Sequence, residues 1–153
     1  MQYNTSNRGR GGFSLLELVV VIVIIGIISA IAIPRMSKGA KGASENASKA
    51  NVAVLESAIE LYTAEHGGTR PTAAAIADQL TKCSNDAGTV KSGTAADVVT
   101  PDATYAWGPY LKVLPPATYG AFKGKSEIAT SATKDADTGW IYDEATGRVT
   151  MNE

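Results

Sequence analysis

From Phe13 to Ile33 the chain is a hydrocarbon run broken only by Ser14, Glu17, Gly26 and Ser29. A bilayer core of about 30 Å takes about 20 apolar residues at about 1.5 Å rise each, so the run predicts a membrane-spanning helix. A buried helix of a soluble domain would keep a polar face opposite its apolar stripe, whereas this one is apolar all round except at Glu17. That carboxylate demands a reason, because at such depth it costs about 2.5–3.5 kcal/mol on insertion scales.

Arg8 and Arg10 precede the run in the manner of a secretory signal. Against that reading, the run is too long for an apolar signal core, no small-residue cleavage pattern follows it, and an acid in its first turn would hinder it. Any processing site is expected before the apolar run.

The basic leader, Gly12, then Phe13-Ser14-Leu15-Leu16-Glu17 and a span holding Gly26 and Pro34 resemble the type IV pilins and the pseudopilins of type II secretion. The likeness covers roughly residues 8–62. It implies that a membrane prepilin peptidase cuts between Gly12 and Phe13 and methylates the new amine of Phe13. It further implies that Glu17 sets the assembly register and that Gly26 and Pro34 are weak points of the helix. The resemblance predicts a leader over 1–12, a transmembrane and polymerisation helix over 13–34, an amphipathic half over 35–67 and a globular α+β head over 68–153.

Electrostatics gives Glu17 a partner independently of the likeness. Cutting before Phe13 places a cationic amine about one helical turn from Glu17, and either charge alone in an apolar setting is costly. If the amine belongs to a neighbouring subunit, a wrong axial height leaves two unpaired charges, so Glu17 would specify register more than strength. Gly26 costs about 1 kcal/mol in a helix interior and Pro34 about 3 kcal/mol. They either bend the helix or, as the resemblance implies, loosen it on assembly.

Arg35, Lys38 and Lys41 follow the span, so the positive-inside count does not favour a cytoplasmic N-terminus. The resemblance implies one: a bacterial inner-membrane, single-pass protein with its head periplasmic, or extracellular in the filament.

Beyond Gly42, Val52, Leu55, Ile59 and Tyr62 recur at helical spacing, with Val54, Ala58 and Leu61 in the adjacent row and Lys49, Glu56 and Glu60 toward the other side. This predicts a helix from about Ser14 to about His66, with a break at Lys38-Gly39 or Lys41-Gly42 an open alternative and Gly67-Gly68 as the stop. Pro71 to Cys83 reads as a short helix, Asn85 to Asp102 as a surface loop, and Tyr105 to Leu114 as an extended segment packed on the first helix. Trp140-Ile141-Tyr142 and Arg148-Val149-Thr150-Met151 flank a Gly-containing turn and predict a hairpin. The fold class expected is α+β, a long N-terminal helix laid on a small antiparallel sheet, pilin-like. The Gly-Pro-Tyr-Leu segment and the Gly-Trp-Ile-Tyr-Asp hairpin are also similar to heads of short G-type pseudopilins.

At 153 residues the chain supports one small domain plus a span. Loss of the leader would remove Arg8 and Arg10 from the 14 basic residues, leaving 12 against 15 acidic, a net −3 that predicts no nucleic-acid partner. Cys83 is the only cysteine, so the disulfide of many type IV pilins cannot form, which favours the pseudopilin side. It is expected to face the core of its helix, intermolecular pairing being the alternative. Since G-type pseudopilins bind calcium near the C-terminus, Asp135, Asp137, Asp143 and Glu144 are the candidate ligands that the resemblance raises. The run is no EF-hand loop, because Trp140 stands where the sharp-turn glycine belongs, and a solvated turn is expected, with no metal or other cofactor.

His66 reads as a solvated helix-end residue, and no catalytic spacing accompanies it, so no enzyme is predicted. The function expected is a structural filament subunit whose partners are its own copies, a prepilin peptidase, an inner-membrane assembly platform and, before assembly, lipid. A minor or initiating subunit and a membrane-tethered binding protein that never polymerises are the alternatives.

Overall fold

The computed structural model describes residues 12–130 and 135–152; Arg8 and Arg10 lie outside them. The chain divides into two units, Met1–Ala40 and Lys41–Glu153. One helix, α1, runs Leu15–Glu65 without interruption, so the break considered at Lys38-Gly39 or Lys41-Gly42 does not occur.

In the first unit α1 is uncovered. Leu15–Ala32 is long and apolar enough to cross a membrane, and none of it is buried. Every large apolar side chain from Leu15 to Ile31 is between 42 and 81% exposed. Among the described residues nothing covers this surface.

In the second unit the other half of α1 supplies the core. Leu55, Ile59 and Tyr62 are buried as their spacing predicts, and Val52 packs against them. Of the adjacent row only Ala58 is buried; Val54 and Leu61 stay about half exposed, because the head covers a narrower stripe of the helix. The helix stops where two glycines follow: Gly67 and Gly68 take φ of 62° and 90°, and Gly68 N–H closes onto Thr63 O at 2.8 Å.

The second helix, α2, is shorter than expected, Ile76–Thr81 rather than from Pro71 to Cys83. Thr72 N–H donates to Gln79 Oε1 at 2.9 Å and Ala75 N–H to Thr72 O at 3.0 Å, and this turn occupies the residues that would otherwise form the first helical turn. Ile76 and Leu80 turn inward and are buried, and Cys83, just past the helix end, is buried as expected.

The sheet has three strands in the order β1 (Glu127–Ala129), β2 (Thr138–Asp143) and β3 (Arg148–Met151). The expected hairpin is present, β2 and β3 pairing antiparallel with Tyr142 opposite Val149. Its turn is built by Asp143, which accepts Ala145 N–H at 3.0 Å and the Thr146 hydroxyl at 2.8 Å, with Gly147 at φ 75°.

The expectation of a purely antiparallel sheet is corrected by β1, which pairs parallel to β2 and slips register between Glu127 and Ile128. The reason is a close approach of the two chains. A Cβ at Gly139 would stand 2.1 Å from Lys125 O, so glycine there lets β1 enter beside β2.

Trp140 and Tyr142 fill the space between sheet and helix, Trp140 Nε1 donating to Pro115 O at 2.7 Å and the Tyr142 hydroxyl to Pro71 O at 3.0 Å. Asn85 to Asp102 is a loop that returns Val98 to the interior and pairs Lys91 with Asp102 at 2.8 Å. Tyr105 to Leu114 stays outside the sheet: Trp107 bridges to Ser84, Gly108–Pro109 is cis, and Tyr110, Leu111 and Leu114 pack on the core. The whole is an α+β, pilin-like architecture with a small mixed sheet.

Candidate processing and assembly site

The N-terminal site begins with three residues outside the helix. Gly12, Phe13 and Ser14 precede α1, and Phe13 is 82% exposed. The first helical bond is Leu18 N–H to Ser14 O at 3.2 Å.

Ser14 and Glu17 form a reciprocal cap there. Ser14 Oγ accepts Leu16 N–H at 3.3 Å, and Glu17 Oε2 accepts Ser14 N–H at 2.8 Å. The two side chains satisfy donors that a helix start otherwise leaves open, and the positive end of the helix favours the carboxylate. Glu17 is therefore a capping group inside its own chain, a role the sequence reading missed although Ser-x-x-Glu before an apolar run signals it.

Gly26 lies on the exposed span, and a Cβ built there would meet nothing within 4 Å, so no contact within the protomer requires glycine. Pro34 lies within continuous helix, although proline offers no N–H to the carbonyl one turn back.

In the head, His66 corrects the expectation of a solvated residue, being only 6% exposed. Its Nδ1 lies 2.9 Å from Tyr62 O, and its Nε2 lies 3.1 Å from Ser84 Oγ and 3.0 Å from Asn85 O. The ring is consumed in joining the end of α1 to the segment after α2. Nearby, the Tyr110 hydroxyl donates to Glu65 at 2.7 Å, and burial, then this carboxylate, drive its pKa far above the usual phenol range. The Cys83 thiol is buried beside Gly108 O, and burial raises its pKa as well.

The late acidic residues act as turn acceptors. Asp135 Oδ1 accepts the N–H groups of Asp137 and Thr138 and the Thr138 hydroxyl, and these bonds, that of Asp137 first, hold its pKa below the usual carboxylate range. Asp137 pairs with Lys125, and the Thr146 hydroxyl lowers the pKa of Asp143. Among the described residues no three His, Cys, Asp or Glu side chains are grouped to hold a metal.

A family model described as the prokaryotic N-terminal methylation motif matches residues 7–33. The chain carries the type IV pilin and pseudopilin signature. The matched residues include the capped helix start and the uncovered span, and the motif implies processing by a prepilin peptidase and pilus-type assembly. With the apolar helix it fits a membrane-anchored protein of a structural, pilin-like class. Comparison with curated proteins and with solved structures gives no match.

Proposed function

We propose that this chain is a structural subunit of a type IV pilus-like or type II secretion pseudopilus filament and performs no catalysis. The observation that carries the reading is the uncovered span under the methylation motif: an apolar helix with nothing buried, interrupted by one carboxylate in its first turn. Lipid covers that surface before assembly, and copies of the same helix cover it afterwards.

In this reading the peptidase cuts between Gly12 and Phe13, the new amine on Phe13 is methylated, and Glu17 of one subunit meets the amine of the next. Residues 1–12 form the leader, 13–34 the polymerisation helix, 35–67 the amphipathic half of α1 and 68–153 the head. The N-terminus begins in the cytoplasm, and the head lies across a bacterial inner membrane whose assembly platform extracts the subunit. Gly26 and Pro34 let the helix yield during that extraction.

The exposed backbone at Gly12 and Phe13 leaves room for a peptidase, and glycine before the cut minimises bulk there. Gly12→Leu is expected to give a membrane-inserted precursor of full length and no sedimentable filament. Mature-sized protein and normal filaments from that variant would overturn the reading.

A further inference from the structure

We propose that Ser14 is a positioning residue for leader removal, holding the carbonyl of Gly12 out of the helix so that the peptidase can reach it. The inference rests on cleavage between Gly12 and Phe13 as read above.

One backbone donor, Leu16 N–H, decides where the helix starts. Were α1 to begin one turn earlier, Leu16 N–H would bond the carbonyl of Gly12, four residues back. In the structure Leu16 N–H is instead taken by Ser14 Oγ at 3.3 Å. The donor that would wind the scissile carbonyl into the helix is thereby occupied.

Ser14 N–H is occupied too, by Glu17 Oε2 at 2.8 Å, so it is not free to bond a carbonyl further upstream and extend the helix into the leader. Among the described residues the helical ladder starts at Ser14 O, which accepts Leu18 N–H.

Hydrolysis requires water to add at the Gly12 carbonyl carbon. The Gly12–Phe13 C–N bond breaks, the hydroxyl stays on Gly12 as its new carboxyl group, and the proton goes to the Phe13 nitrogen. A carbonyl buried in a helical ladder must first be unwound, whereas a capped start presents it already free. The residues that follow, Leu15 to Val23, form helix readily once packed or in lipid, so an uncapped start would creep toward the leader. Ser14 stops that creep.

The test is cleavage of the full-length chain in membrane vesicles containing a prepilin peptidase, followed by mass. The carbon shift of the Phe13 Cα is measured in the uncut chain in micelles. Ser14→Ala is expected to be cut about fivefold more slowly, the factor that corresponds to loss of a typical cap, with the Phe13 shift moving toward the helical value. Ser14→Thr, which keeps a capping hydroxyl, should be cut within about twofold of the parent rate.

Parental cleavage of Ser14→Ala would overturn the inference, as would equal slowing in Ser14→Thr or slow cleavage with an unchanged Phe13 shift, which would point to direct contact with the peptidase. A parent chain left uncut between Gly12 and Phe13 would instead overturn the cleavage reading, and this inference with it.

Discussion

The carboxylate of Glu17 accepts the backbone N–H of Ser14 at 2.8 Å, so this costly acid already has a partner in the single chain. A capping box accepts glutamine in place of glutamate, which separates the cap from the charge. Glu17→Gln is expected to insert and be processed like the parent but to yield few sheared filaments, because the neighbouring amine loses its counter-charge. Parental filament yield would show that the charge has no part in assembly.

His66 stacks on Tyr62 with ring centroids 3.8 Å apart and planes 8° from parallel. Truncation would remove that stack and strip buried partners from Ser84 and Asn85. His66→Ala is expected to lower the stability of a fragment beginning at Lys41 by roughly 2–4 kcal/mol in urea unfolding. A change below about 0.5 kcal/mol would mean that the network contributes nothing.

The two ends of the glycine scale are Gly139 and Gly26. Gly139→Ala forces a methyl onto Lys125 O and should cost several kcal/mol or prevent pairing of β1 with β2, read by hydrogen exchange at Trp140, opposite Ile128. Gly26→Ala meets nothing and should stabilise the helix by about 1 kcal/mol, while slowing assembly if the span must loosen. Unimpaired assembly would favour a simple bend.

Alkaline pH should weaken the head. Burial, then the charge of Glu144, push the Tyr142 pKa up to about 12 from an ordinary value of 10.0, and that of Tyr110 rises in the same sense. A raised folded-state value means that the neutral phenol is favoured in the fold. Its contribution is therefore full below pH 10 and is lost as pH climbs through about 12, at up to roughly 1.4 kcal/mol per pH unit per tyrosine. Denaturant titrations between pH 9 and 12 should show this fall and a shallower one in Tyr142→Phe; equal slopes would contradict the assignment.

How far the sequence carried the fold varies with the range of the contacts involved. Helix α1 was legible because Leu55, Ile59 and Tyr62 repeat with the helical period, and the hairpin because Trp140 and Tyr142 alternate toward one face before Gly147. The parallel strand β1 was not, since three residues carry no period and its place depends on the missing Cβ of Gly139 against Lys125, a contact in space that no local sequence pattern marks. The burial of His66 is not legible because a helix-end position suggests solvent, while its cover comes from Ser84 and Asn85. The start of α2 depended on the Gln79 side chain reaching back to Thr72. At the N-terminus the motif itself is plain and Glu17 reads as a register mark, whereas the cap it shares with Ser14 is signalled only by the Ser-x-x-Glu spacing.

The most direct measurement is the mass and fragmentation of the mature N-terminus purified from the membrane. The account predicts a chain beginning at N-methylated Phe13, with residues 1–12 absent. A chain that retains the leader, or is cut after the apolar run, would contradict it.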